Sequence, residues 1–308
     1  MTLILLMLSA FTGVSHAASE MILHFVPPPK PINWDTPSKL ADTVVHNQFV
    51  SVPGGNRHAI GHLYEEVTCS DGTHFATGAT DVTGNEETNE LLMHGVGLSV
   101  MILNYPGRLD TTEETEKDLK VMQATGRTSF MRFQISDSTC KRLVGFIDEY
   151  KARGYDKIYA GLNARPRYGQ GSGCAAFGAA FAELAGVKPL EFDDVWMRSL
   201  IMPRKFMGGA LTGVRVSFLK ILLALGAKWD QDFSRNGFLI HFYDPAVMDT
   251  WSRSKAIDIL NGESSNLPWP TKVGYIDKSM GLDIDATSVA TPTEPLFFVP
   301  APTPSPVK

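Results

Sequence analysis

The sequence predicts an α+β fold: an antiparallel sheet with helices packed on it, followed by a helical C-terminal extension. Two observations lead there. Short runs rich in β-forming residues, bounded by turn residues, occupy the chain up to Ile135, and helical spacing of apolar residues takes over after it. A length of 308 residues with 44% hydrophobic and 20% charged content supports a substantial core, arranged as one large domain with an extension.

Residues Thr2 to Val14 are apolar or small, and Ser15-His16-Ala17 places small residues where a signal peptidase cuts. Residues 1–17 therefore read as a signal peptide and localisation as secreted or periplasmic; the alternative is a buried N-terminal helix. Phe25 to Pro37 (FVPPPKPINWDTP) is proline-rich and predicts an extended lead-in, with the fold starting after it.

Ile60 to Cys69 alternates, Ser70-Asp71-Gly72-Thr73 supplies turn chemistry and His74 to Thr80 resumes, which predicts a β-hairpin. Val96 to Asn104 and Ser129 to Ile135 read as two more strands. Ser136 or Asp137 caps a helix through Leu143, Phe146, Ile147 and Tyr150 that ends near Gly154. A second helix opens at Cys174, shares one face with Phe177, Phe181 and Leu184, and stops at Gly186.

Beyond Pro189 the candidates are helices at Trp196–Met202, Val214–Leu225 and Pro245–Leu260, with breaks at Pro203, Gly208 and Gly209. The expected division is 18–188 for the thiol domain, 189–289 for a mainly helical extension and 290–308 for a proline-rich tail, in which Leu296-Phe297-Phe298 could dock. Val214–Leu225 is the most apolar stretch after the leader, but Arg215 and Lys220 interrupt it, and it falls short of the roughly 20 apolar residues a bilayer needs. No transmembrane span is expected in the mature chain. A formal charge of −5 gives no basic excess for phosphates and sets nucleic acid aside as a partner.

The three cysteines are Cys69, Cys140 and Cys174, an odd number, so in an oxidising compartment one pair can bridge while the third stays a thiol. Cys174 has a reason to be that thiol. Residues 165–177 (RPRYGQGSGCAAF) put glycines at 169, 171 and 173 just before a cysteine that opens a helix, which lets a backbone or a substrate come close to the sulfur. Amides at the helix start favour a thiolate and can hold an oxyanion. The plainer alternative is a small buried hydrophobe beside Phe177 and Phe181.

A base must come from elsewhere, and His62 sits after Gly61 inside a predicted strand. Gly-His in a strand, followed about a hundred residues later by a helix that starts Cys-x-x-Phe, resembles the circularly permuted NlpC-type papain-like superfamily, which includes lecithin:retinol acyltransferase and bacterial relatives. The resemblance covers roughly Gly61 to Gly186. It implies Cys174 as nucleophile, His62 as base and an acyl-enzyme passed to water or another acceptor. No cofactor and no metal is expected.

For the group that orients the imidazole, the resemblance points to His74, twelve residues after His62. A two-residue Asp71-Gly72 turn would instead set His74 opposite Cys69, on the other face from His62, and Asp81 opposite His62. Asp81 is therefore taken ahead of His74. Arg165 and Arg167 either bind a substrate anion or are solvated. His24, His46, His58, His94 and His241 lack metal-ligand spacing. The expected function is an exported cysteine hydrolase or acyltransferase on a peptide or lipid substrate, including a cell-wall component. The alternative is a noncatalytic exported module that keeps the papain-like shape.

Overall fold

The structure, a computed structural model, describes residues 18–49, 58–82, 90–232 and 237–299. The signal-peptide expectation for residues 1–17 lies outside them. The first element is β1 (Ser19–Val26), which precedes the prolines instead of following them and forms a central strand of the main sheet. The lead-in expected at Phe25 starts only after Val26. β1 buries both faces, with Met21, Leu23 and Phe25 on one and Ile22, His24 and Val26 on the other.

The main sheet runs β10–β11–β6–β1–β2–β3, with β2 (His62–Thr68), β3 (His74–Thr77), β6 (Ser129–Ile135), β10 (Thr271–Ile276) and β11 (Ser279–Asp285). All its pairings are antiparallel except β11 on β6. Seven α-helices are seen among the described residues, and the architecture is α+β. Helices α3 (Asp137–Ala152), α4 (Cys174–Leu184) and α7 (Pro245–Leu260) meet the face that carries Leu23, Leu63, Met131 and Phe133. Helix α2 (Thr112–Ala124) covers the other face through Leu119 and Met122, packed on Val26 and Tyr64.

Local chemistry explains the helix ends. Thr111 and Glu114 form a reciprocal capping box on α2, and Ser136 accepts the Thr139 amide at the start of α3. Asp244 caps α7 ahead of Pro245. The disulfide pairs Cys69 with Cys140, tying the end of β2 to the first turn of α3.

Several sequence expectations are corrected. The 189–289 segment is not a mainly helical extension, because it contributes β8 (Met197–Pro203) paired with β9 (Gly237–Tyr243), and the β10–β11 hairpin joins the main sheet. β11 buries Leu282 and Ile284 beside Met131 and Phe133 and so covers what would otherwise be an open sheet edge. The helix expected at 196–202 is β8, preceded by the short α5 (Leu190–Trp196). Only Phe218–Leu222 of the 214–225 stretch is helical (α6).

Val96–Asn104 is not a strand: Gly97 takes φ +56° and its α-carbon lies hard against the Phe206 carbonyl, so the chain turns into a 3₁₀ segment at Leu98–Met101. The tail docks as far as it is described. Phe297 is buried against Phe146, Tyr150 and Tyr155, and Arg167 is no solvated or substrate-facing arginine, since it is buried, pairs with Glu183 and donates to the carbonyls of Pro295 and Leu296.

A second core forms around α1 (Pro37–Phe49), α6, β8 and β9, built on Leu40, Met202, Phe206, Val216, Ile221, Ile240 and Phe242. A small sheet, β4 (Ala79–Asp81), β5 (Tyr105–Leu109) and β7 (Ile158–Tyr159), completes the architecture.

Candidate active site

A cavity of about 450 Å³ lies where the two cores meet. Its walls come from the start of β2, the first turn of α4, β4, the start of α2 and, at the far end, α1 and α6. Cys174, His62 and Asp81 all border it, so three of the four sequence candidates share one space.

Cys174 is the first residue of α4, and its side chain is small and 6% exposed. Gly173 caps this helix with no side-chain hydrogen bond, and the first backbone bond back into it is donated by Phe177 to the Gly173 carbonyl at 3.1 Å. The amides of Cys174, Ala175 and Ala176 therefore stand ahead of the helical ladder at the positive end of the helix, where negative charge is stabilised. Ala160, Gly161 and Leu162 form the facing wall.

His62 is the first residue of β2. Gly61, at φ +89°, brings the chain in beside Pro245 and the Val26 carbonyl, where a methyl group would sit 3.1 Å and 3.0 Å from them. Only glycine fits that entry. The imidazole is buried, stacked on His58 with ring centroids 4.1 Å apart and set edge-on to Tyr64 at 4.4 Å. Its Nε2 makes no hydrogen bond and faces Gly78, where an added methyl would lie 2.8 Å away. Burial, followed by the charge of His58, pushes the His62 pKa well below the usual histidine range, so the ring is neutral with an uncommitted nitrogen. No hydrogen bond joins that Nε2 to the Cys174 sulfur.

The hairpin differs from its expected form, and that moves both third-group candidates. The loop has three residues, Ser70 to Gly72, closed by the Cys69 amide on the Thr73 carbonyl at 2.8 Å, with Gly72 at φ +90°. The register is one residue away from the expected one, with Thr68 opposite His74 and Glu65 opposite Thr77. His74 thus shares a face with His62, but its partner Thr68 lies six steps along the strand from His62, roughly 20 Å. There it bonds Glu116 at 3.0 Å and Thr68 at 2.9 Å and stays outside the cavity wall. Asp81 is not paired with His62 either. Gly78 ends β3, and Asp81 passes to the small sheet opposite Gly107, although it still borders the cavity.

Residues not anticipated from the sequence complete the polar end. His58 bonds the Tyr64 hydroxyl at 3.0 Å, which donates to Asp118 at 3.4 Å. Arg108 bridges Asp110 and Glu114 at 3.0 Å and 2.8 Å, and the Thr111 amide with Arg108 holds the Glu114 carboxyl down at about 2. Strand alternation alone would have placed Tyr64 on the face of His62. The opposite end is apolar, with Trp34, Leu40, Leu98, Phe218, Ile221 and Phe242.

On the other face of β2 lies Glu65, fully buried, with no hydrogen-bond partner for either carboxyl oxygen. Burial pushes its pKa well above the usual carboxylate range, which favours the protonated form. Gly178 of α4 makes the room for it. Among the described residues no group of three His, Cys, Asp or Glu side chains could hold a metal ion, and no helix is long and apolar enough to cross a membrane. No family model, no curated protein and no solved structure matches this chain.

Proposed function

We propose that this chain is an exported cysteine hydrolase or acyltransferase of permuted papain-like design, acting on an amide or ester of a peptide or lipid. The observation that carries this is the shared cavity, in which a thiol opening α4 and a neutral imidazole opening β2 border the same space. The mechanism requires the imidazole to swing away from Gly78 so that Nε2 meets the sulfur. His62 then takes the Sγ proton, and the thiolate adds to the substrate carbonyl. The amides at the start of α4 stabilise the oxyanion, an effect on the order of a hundredfold or more in rate. The imidazolium returns its proton to the leaving amine or alcohol, and water or a second acceptor releases the acyl group. Asp81 is the orienting candidate, since it borders the cavity and His74 does not. Export is supported by the Cys69–Cys140 bridge together with the apolar leader.

A second reading is favoured by the direction of Nε2, which faces Gly78: a noncatalytic exported module that binds a partner in the same groove. Iodoacetamide separates the two. Cys174 is the only cysteine outside the bridge, and the catalytic reading requires it to be alkylated faster than a model thiol at neutral pH, with the excess lost in His62→Ala. Alkylation at or below the model rate in both proteins leaves only the binding module.

A further inference from the structure

From Arg204 to Trp229 the sequence holds Arg204, Lys205, Arg215, Lys220 and Lys228 and no Asp or Glu, in a chain whose formal charge is −5. The apolar residues of this stretch do not all turn inward. α6 directs Phe218 and Ile221 into the cavity wall, while Leu219 and Leu223, four residues apart and so on one helical face, are 58% and 66% exposed. Leu225 is 84% exposed, and Val214 is exposed as well. Val214 lines a surface hollow with Arg204, Lys205, Thr212 and Asp230. Phe49, at the end of the α1 helix that packs on α6, is both exposed and part of the cavity wall.

Single exposed leucines are ordinary on a protein surface. Here they fall in one short stretch of chain interspersed with the exposed Arg215, Lys220 and Lys228, and Phe218 and Ile221 of the same stretch line the apolar end of the cavity. The stretch is too short and too charged to span a bilayer, but it fits one lying in the interface, with leucines in the acyl boundary and cations at the headgroups. We propose that this rim, Val214, Leu219, Leu223 and Leu225 with Arg215, Lys220 and Lys228, is the surface by which the protein docks on an anionic lipid bilayer. Docking there turns the apolar end of the cavity toward the membrane. The inference does not depend on the chemistry at Cys174.

Co-sedimentation of the full chain with phosphatidylglycerol–phosphatidylcholine vesicles and with pure phosphatidylcholine vesicles tests it. Binding is expected on the anionic vesicles and much less on the neutral ones, and it weakens as salt screens the cations. Lys220→Glu with Lys228→Glu weakens it about fivefold for each charge removed, and more on reversal. Leu219→Ser with Leu223→Ser weakens it roughly tenfold per leucine. All four side chains are exposed, so melting curves should be unchanged, and unchanged curves exclude unfolding as the cause of a loss in either variant. Undiminished binding in both variants, as an apolar leader would give, overturns the proposal. So does equal binding to the two vesicle types. A wild-type dimer that the leucine variant dissociates, with no vesicle binding, overturns it in favour of self-association.

Discussion

The two ends of β2 are built for opposite purposes. At the Cys69 end the strand is fixed by the disulfide to α3, and Ser19 ties the same corner by donating to Asp137 at 2.6 Å and accepting the Ser70 amide at 2.9 Å. At the His62 end the buried imidazole keeps a nitrogen without a partner, facing Gly78. Buried polar groups without partners are costly and are tolerated where the surrounding structure is rigid. A covalent anchor at one end fixes the strand, and the other end carries a buried ring nitrogen with no hydrogen-bond partner.

The sharpest way to break this comparison is Cys174→Ala. Turnover of an activated ester should fall by about a thousandfold or more, while the melting temperature stays near that of the wild type, because alanine fills most of the same small space. Retained turnover would move the chemistry away from this end of β2. Next is the anchor. Cys69→Ala with Cys140→Ala releases a link across 71 residues, which chain entropy sets at about 4 kcal/mol in urea unfolding. In the folded protein the alkylation rate of Cys174 should not change; if it does, the two ends are coupled rather than separate.

How much of this was legible in the sequence follows the same division. α3 and α4 could be read because each carries its own stop and start signals: Ser136 and Gly154 for one, Gly173 and Gly186 for the other. The bridge followed from cysteine parity. The contact between the His62 imidazole and the Cys174 sulfur that a nucleophile–base pair requires is not formed, although both residues border one cavity. What failed depended on contacts distant in sequence. β1 is buried on both faces, which removes the alternation that marks a strand. Val96–Asn104 has strand composition, but Gly97 is pressed against Phe206 and the chain turns. One extra loop residue at Ser70–Gly72 shifted the hairpin register, exchanging the faces assigned to His74 and separating Asp81 from His62. Glu65 reads as a strand glutamate with no partner in view, and only the packing of α4 shows it to be enclosed.

Glu65 and Gly178 sharpen the contrast within β2, since they lie in the closed core and His62 lies at the cavity. Gly178→Ala places a methyl group against Leu63 and Glu65, and overpacking there should cost about 1–3 kcal/mol in urea unfolding. Glu65→Gln acts through pH. The folded carboxyl has a pKa raised above the unfolded 4.5, so its contribution to stability is complete below about pH 4.5 and is lost as pH rises toward the folded value. The loss is about 1.4 kcal/mol for each unit between the two. The urea midpoint of wild type relative to that of Glu65→Gln should therefore fall from pH 4 to pH 8. Parallel curves would mean that the carboxyl is not enclosed.

The smallest effect concerns His62 itself. Burial and His58 both lower its pKa, so the neutral base persists below pH 6.5, and the acid limb of kcat/KM should lie on the acid side of an ordinary histidine. The sign for stability agrees: a depressed pKa leaves the histidine contribution intact above 6.5 and removes it as pH falls. His58→Gln takes away the neighbouring charge while burial stays, so the acid limb should move up toward the usual range without reaching it. Because burial is the larger cause, the shift on removing His58 must be smaller than the whole displacement. A pH profile of His58→Gln that coincides with that of the wild type would show that the stacked pair at the open end of β2 shares packing and no charge.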